Sequence, residues 1–344
     1  MPKCVLLFNG GIDSTMAARM LQENNIEVLL LNLTSPFFPG PTERTTQVAK
    51  MLKLPLTVID ISKQMLYLTE SPRKGYGKFA NPCIDCRANM LQIAHQFMVQ
   101  QKADFIATGD VFNQHFISQN TDSFIQQLKL ANIPDIICRP LCQQLCKPNL
   151  SNKFFSAGVK IQGQQHKEQE SFLKSRQINI YKYKAQTCKL LNNFFSQKVL
   201  VLKQDSALYQ FPFLVQLLLK GRFFRFSHRK YLFLYRKHEC QWAEQFSQCG
   251  VALRSLPQID QKTLVLVVSL AKQQKEAVFP VFDFEDTFVQ GKEEHTAEID
   301  DELRLFALQL FAHFSKLDQC LVGEELVSCQ CMEGFEKVVE QKAV

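Results

Sequence analysis

Two short runs carry residue types able to do chemistry. The first, Asn9-Gly10-Gly11-Ile12-Asp13-Ser14-Thr15, falls between an apolar run and the start of a helical pattern. Its paired glycines let the backbone approach a ligand closely and take positive φ. Asp13, Ser14 and Thr15 set a carboxylate and two hydroxyls where the first free N–H groups of a helix point outwards, and those donors with the helix dipole favour phosphate. No lysine follows the glycines at the Walker spacing, so this is a different phosphate loop. The second run, Asn81-Pro82-Cys83-Ile84-Asp85-Cys86-Arg87, sets a Cys-x-x-Cys pair beside a helix start. That spacing suits a metal, a redox couple or half of a structural zinc site. A helix N-terminus and the Arg87 charge are expected to lower the thiol pKa values, favouring thiolate as ligand or nucleophile.

The elements that must position these runs alternate. Cys4–Phe8, Glu27–Leu33, Leu56–Ile61 and Phe105–Thr108 read as strands, and Asp13–Asn24, Thr45–Leu52 and Ala88–Val99 as helices. Strands alternating with helices predict an α/β fold built on a doubly wound parallel sheet. Ligands bind such sheets at the carboxyl ends of strands, where residues 9–14, 34–40 and 109–119 fall. Residues 140–190 show little pattern beyond a helix around His166–Arg176. From Leu217 strands return: a hairpin of Arg222–Phe226 and Lys230–Tyr235, a run at Leu264–Leu270, then a helix over Ile299–Phe314. This predicts a second, smaller α+β domain, with the chain divided into 1–185 and 186–344.

The run from Phe8 to Thr15 resembles the SGGxDS loop of the PP-loop ATPases, the adenine-nucleotide alpha hydrolases of HUP-like fold, with Asn9 where Ser is usual. The resemblance implies that ATP with Mg²⁺ binds here and is attacked at its α-phosphate, releasing pyrophosphate. Asn9, Gly10, Gly11, Asp13, Ser14 and Thr15 would hold the nucleotide, Asp13 also acting in catalysis. Asn32, Thr34, Thr108 and Gly109 match places where the superfamily contacts adenine, ribose or metal. The Asn-Pro-Cys-x-x-Cys run and Ala103–Val111 resemble the tRNA-thiolating branch. More narrowly, they are similar to a 4-thiouridine-synthetase-like group fused to an NFACT-type RNA-binding module. Gln114, Ser118-Gln119, Arg139-Pro140-Leu141 and Leu218–Phe226 carry that likeness, and Thr187-Cys188-Lys189 resembles a third cysteine segment of the group. The implied activity is adenylation of a pyrimidine carbonyl in tRNA followed by replacement of its oxygen by sulfur. Cys83, Cys86 and Cys188 would ligate a [4Fe–4S] cluster, or two of them would act as persulfide carrier and resolving thiol, fed by a cysteine desulfurase or another sulfur donor. The chain departs from the group at Asp110 (usually Glu), at His115-Phe116 (usually Arg-Pro) and at Gln164–Glu168 (usually arginine-rich). A PP-loop enzyme for a small molecule and a non-catalytic RNA-binding relative therefore stay open.

Charge bears on the partner. Residues 151–240 hold 17 basic and 4 acidic side chains, a net of +13, while residues 241–344 hold 9 and 18. A block so basic is the footprint of a polyanion-binding module, or else a solvated face set against the acidic last third. Arg222, Arg225 and Lys230 are the candidate RNA contacts, with Phe223, Phe224 and Phe226 either stacking on unpaired bases or filling a core. No apolar run approaches the roughly 18 residues of a membrane span, and no secretory pattern opens the chain. A cytoplasmic protein with reduced thiols is expected, most of its 12 cysteines, Cys138, Cys142 and Cys146 among them, being structural.

Overall fold

The computed structural model describes residues 1–38, 40, 42–180, 187–249, 251–254, 263–270, 299–315, 319–322, 325–328 and 335–344. These divide into two compact units, Met1–Leu191 and Asn192 onward. The expected boundary at 185/186 lies outside the described residues.

The first unit is a parallel sheet flanked by helices. Its strands are β1 (Lys3–Leu7), β2 (Glu27–Thr34), β3 (Leu56–Asp60), β4 (Phe105–Thr108) and β5 (Ile137–Cys138). They lie in the order β3-β2-β1-β4-β5, every pair parallel. The central strands are apolar on both faces because helices cover both, as an all-parallel sheet requires: every residue of β4 is buried. Helix α1 (Ile12–Glu23) lays Met16, Ala17, Met20 and Leu21 into a core shared with Leu6, Leu30 and Phe105. Helices α2 (Glu43–Leu52), α3 (Ser62–Glu70), α4 (Cys83–Gln100), α5 (Thr121–Ala131) and α6 (Lys167–Ser175) complete the unit. The strand order reverses between β1 and β4, so the crevice for a ligand opens at their carboxyl ends, where Asn9–Ser14 and Thr108–Asp110 emerge. The predicted doubly wound sheet is thus present. Four elements differ from expectation, the short strand β5 being one that was not expected. Helix α4 begins at Cys83 rather than Ala88, which puts the Cys-x-x-Cys pair inside its first turns. Helices α3 and α5 were not foreseen.

The second unit contains α7 (Asn193–Gln204), α8 (Phe213–Leu218) and a six-stranded sheet with helices α9 (His238–Ala243), α10 (Asp301–Ser315) and α11 (Phe335–Lys342). Its strands are β6 (Arg222–Ser227), β7 (Lys230–Arg236), β8 (Val251–Arg254), β9 (Thr263–Ser269), β10 (Gln319–Val322) and β11 (Glu325–Ser328). They are antiparallel in the order β11-β10-β8-β9-β7-β6. The expected hairpin is β6–β7, turning at His228-Arg229 with Arg229 at φ 58°. Phe224, Leu232, Val265 and Val267 on the sheet meet Phe306, Leu310 and Phe311 of α10 in its core. Among the described residues no helix is long and apolar enough to cross a membrane.

Candidate functional site

The glycine loop is held by its own side chains and by α2. Asn9 Oδ1 accepts from the Gly11 amide at 2.8 Å and from Ser14 Oγ at 2.9 Å, so Asn9 ties the loop to the start of α1. Thr15 turns away: it is fully buried and its Oγ1 donates to the Gly11 carbonyl at 2.7 Å, which makes it a strut. From α2, whose N-terminus carries a Thr42–Thr45 capping box, Thr45 Oγ1 donates to the Asn9 carbonyl at 3.0 Å and Arg44 Nε to the Gly10 carbonyl at 2.6 Å. Gly10 sits at φ 73°, and a Cβ there would stand 2.8 Å from Thr45 Cα. Only glycine fits both demands. Gly109 is as confined, since its Cβ would fall 2.6 Å from the Ser14 amide nitrogen. The end of β4 therefore touches the first turn of α1.

These pieces border a cavity of about 810 Å³ that also receives Asn32, Thr108, Gly109 and the three candidate cysteines. Gly10, Thr15 and Thr34 are not on its wall; the first two support the loop, and Thr34 closes β2 beside Asp60. Asn32 is buried, donates to the Phe8 carbonyl at 2.8 Å, and leaves its Oδ1 without a partner. Asp13 is clasped by two neutral amides, Gln114 Nε2 at 3.0 Å and Gln169 Nε2 at 2.9 Å, with His166 Nδ1 at 3.7 Å. Asp110 has the opposite setting. It is buried, pairs with Arg87, lies 3.5 Å from Arg139 Nε, and accepts from Thr108 Oγ1 at 2.8 Å and Gln119 Nε2 at 3.1 Å. Both of its oxygens already accept hydrogen bonds from the protein. Burial, together with the Arg139 charge, holds the Arg87 guanidinium down to about 10.

Cys83, Cys86 and Cys188 all reach this cavity. Cys188, far along the chain, is brought back by the main-chain bond from the Lys189 amide to the Phe37 carbonyl, 2.8 Å. Asn81 joins two of the thiols: its Oδ1 accepts from Cys83 Sγ at 3.0 Å and its Nδ2 donates to Cys188 Sγ at 3.5 Å. The expected lowering of the thiol pKa values does not occur. Burial pushes Cys83 and Cys86 up, Cys86 strongly with the neighbouring Cys188 adding to it, and lifts Cys188 to about 11. Desolvation outweighs both the helix terminus and Arg87. Among the described residues no group of three His, Cys, Asp or Glu side chains is disposed around a single metal ion. Asp85, between the cysteines, is buried and accepts from the Arg73 and Lys74 amides at 3.1 and 3.0 Å, anchoring the preceding loop.

Cys142 and Cys146 flank a short 3-10 turn and share a thiol hydrogen bond, which lowers Cys146 to about 7 and raises Cys142. Cys4, Cys138, Cys240 and Cys320 are buried core fillers, as expected.

In the second unit the candidate RNA contacts separate. Arg225 pairs through Nε and Nη2 with Asp205 at 3.0 and 2.6 Å, and Lys230 pairs with Asp300. Both are paired with an acid within the unit, which the sequence reading did not include. Arg222 is exposed, its guanidinium 5.2 Å from the Phe314 ring. Phe223 and Phe224 are buried at 1 and 2% exposure, and Phe226 packs on Phe306, so these rings form core and do not stack on bases.

Sequence reasoning missed Arg44, Asn81 as the thiol bridge, and Gln169 with His166 on Asp13. Each acts across a sequence separation that local pattern does not encode. Only Asn81 had a local signal, its place two residues before Cys83.

With this geometry in view, comparison with known proteins is specific. Residues 2–144 match the model of the family described as "Thiamine biosynthesis protein (ThiI)". Two curated relatives, each a tRNA-specific 2-thiouridylase MnmA, align with the chain. That of Desulfotalea psychrophila is 30% identical over 32% of this chain and 33% of its own length. That of Sulfurimonas denitrificans is 32% identical over 37% and 38%. The chain thus spans about a third of the length of the curated relatives it matches. A solved 4-thiouridine synthetase–RNA complex with bound ATP is similar at 19% identity and a TM-score of 0.35, covering 63% of this chain and 53% of that one.

Proposed function

We propose that this chain, whose first unit carries a PP-loop domain of the tRNA-thiolating group, catalyses ATP-dependent thiolation of a pyrimidine in tRNA. The observation that carries the reading is that one cavity receives both the Asn9–Ser14 loop and the thiols of Cys83, Cys86 and Cys188. An adenylating site and a sulfur-handling site then share the space in which an activated carbonyl would sit.

In this reading the free amides at the start of α1, with Ser14, bind the pyrophosphate of ATP, and the unpartnered Asn32 Oδ1 accepts from the adenine amino group. Asp13 would hold a cation such as Mg²⁺, because only neutral amides and a distant imidazole surround its charge. The pyrimidine carbonyl oxygen attacks the α-phosphate and pyrophosphate leaves, with the loop amides stabilising the developing charge. Sulfur then adds to the same carbon, and AMP departs with the original oxygen.

The thiols fit sulfur chemistry in either of two forms. As three soft donors on one wall they suit an iron–sulfur cluster, which Cys83, Cys86 and Cys188 would hold and which would supply an open iron for sulfide. As a relay, a persulfide on one cysteine attacks the carbon, and a second thiol then cleaves the resulting S–S bond, leaving a protein disulfide for an external thiol to reduce. The sulfur donor, a cysteine desulfurase or its equivalent, is outside the chain. The second unit serves RNA binding through exposed cations such as Arg222.

The test is production of AMP, pyrophosphate and a thionucleoside from ATP, unmodified tRNA and a sulfide source, read by mass spectrometry of digested RNA. AMP and pyrophosphate formed without tRNA, with a small molecule as acceptor, would overturn the substrate. Absence of ATP binding would overturn the enzyme.

A further inference from the structure

The mouth of the cavity is built unlike its walls. Segment 71–84 carries three cations, Arg73, Lys74 and Lys78, and no carboxylate, and all three are exposed. No ion pair among the described residues engages them. Two aromatic faces stand beside them: Phe116 is 70% exposed and Phe79 37%. Lys78, Phe116 and Ile117 line the cavity itself, so this surface is continuous with the site. The Lys78 ammonium lies 5.2 Å from the Phe79 ring centre.

This rim is held in place. Asp85, buried between the two cysteines, fixes the Arg73 and Lys74 amides. The Gly77 amide donates to the Asn81 carbonyl at 2.8 Å, and Ile117 lies so close to Gly77 that a Cβ there would stand 3.1 Å from its Cδ1. The Phe116 segment and the cationic loop therefore form one surface, pinned by the residue that separates the thiols. A phenylalanine so exposed gains nothing from folding; its face is available to a planar partner.

We propose that this rim, rather than Arg225 and Lys230, grips the unpaired nucleotides flanking the target base: Phe116 stacks on a neighbouring base and Arg73, Lys74 and Lys78 hold the phosphates. The inference rests on the reading of the chain as an RNA-acting enzyme and adds where the RNA enters. Cations with no compensating acid, exposed rings, and continuity with a site that must admit a base together match single-stranded nucleic acid. An acidic protein surface would use the cations but not the rings.

The test uses the full chain and a fluorescently labelled unmodified tRNA transcript, with affinity measured by anisotropy across a salt series. Phe116→Ala should weaken binding by about 5- to 150-fold, the worth of one stacked base, with little change in salt slope. Phe116→Trp should restore it. Arg73→Glu with Lys74→Glu should instead flatten the slope of log K against log salt by about 1.4–1.8, for two phosphate contacts. Both sites are exposed, and melting curves verify that the variants fold. Wild-type affinity in Phe116→Ala, or an unchanged slope in the double variant, overturns the inference. So does retained RNA binding with loss of sulfur transfer from a donor protein, which would make the rim a protein dock. ATP binding by the wild-type chain is measured separately. Its failure with rim-dependent RNA binding intact would sink the enzymatic reading and leave this one standing.

Discussion

Replacing Gly109 by alanine tests the contact on which the nucleotide loop depends. The added Cβ would lie 2.6 Å from the Ser14 nitrogen, 2.7 Å from Ser14 Cα and 2.9 Å from the Asp13 carbonyl carbon. All three are main-chain atoms, so no side-chain rotation relieves the overlap. Restoring an ordinary separation moves the start of α1 by roughly 0.8 Å, and overpacking of this kind costs about 1–3 kcal/mol. For a unit of this size that is a fall in melting temperature of roughly 2–12 °C. The same shift pulls Ser14 from Asn9 and Asp13 from Gln114 and Gln169. Loss of one or two such bonds should weaken ATP binding about 10- to 100-fold by calorimetry. Gly11→Ala is the comparison, because its Cβ meets only the Asn9 side chain, at 2.9 Å, which can turn aside at the loss of its bonds to the Gly11 amide and Ser14 Oγ. It should lower the melting temperature less than Gly109→Ala, since no main-chain atom has to move. Equal melting temperatures for wild type and Gly109→Ala, with unchanged ATP affinity, would refute the argument that β4 and α1 are in hard contact.

Three other outcomes follow from the second unit and from the thiols. Asp205→Asn should destabilise the second unit by about 1.5–3 kcal/mol, because it weakens charged hydrogen bonds to Arg225, His228 and Tyr231 while the cations it leaves stay solvated. Burial alone would raise the Asp205 pKa, but the Arg225 and Tyr231 hydrogen bonds outweigh it and hold the carboxyl below its ordinary value. Its contribution is therefore present above about pH 4 and lost below, visible as acid unfolding of the wild type that the variant lacks. Iodoacetamide at neutral pH, followed by peptide mapping, should label Cys146 ahead of Cys188, since the neighbouring Cys142 thiol lowers Cys146 while burial raises Cys188; equal rates would discount the Cys142–Cys146 hydrogen bond. For Cys83, Cys86 and Cys188 the folded pKa is raised, so their contribution to stability is complete below the unfolded thiol value of about 8.5 and declines as pH rises through the folded value. A melting temperature that falls between about pH 9 and 11, and that triple replacement of these cysteines flattens, is the expected result.

Much of the first unit was legible in the sequence because its signals are local. An apolar strand, a Gly-Gly turn and a helix stripe each occupy a few adjacent residues, and parallel pairing follows from their alternation. The convergence of Cys188 on the Cys83–Cys86 pair was legible only through family likeness; what brings it back, the Lys189–Phe37 main-chain bond, has no pattern. Thiol acidity was misjudged for a physical reason. A helix terminus and an arginine are visible in sequence, whereas burial, which dominates, is a tertiary property. The same holds for Phe223 and Phe224: a strand mixing arginines and phenylalanines reads as a stacking surface until the sheet shows both rings buried, one on each of its faces. Arg225 and Lys230 needed Asp205 and Asp300, residues that no spacing links to them.

The two aspartates of the cavity explain why departures from the family pattern need not disable the site. Asp110 stands where a glutamate is usual, yet its carboxylate is answered by Arg87 and Arg139 and by Thr108 and Gln119. A shorter side chain suffices because those partners come to it from α4 and from the turn after β5. Asp13 faces the opposite arrangement. Of its partners, His166 lies in the stretch that is usually arginine-rich and Gln169 just after it, and neither brings a guanidinium to the carboxylate. Two amides fix its orientation without neutralising it, which under the proposed function leaves its charge to attract a cation carried in with the nucleotide. An arginine in place of Gln169 would bind Asp13 more tightly and leave it weaker as a metal ligand. The two carboxylates of one cavity are thus held in opposite ways, Asp110 among guanidinium groups and Asp13 among amides.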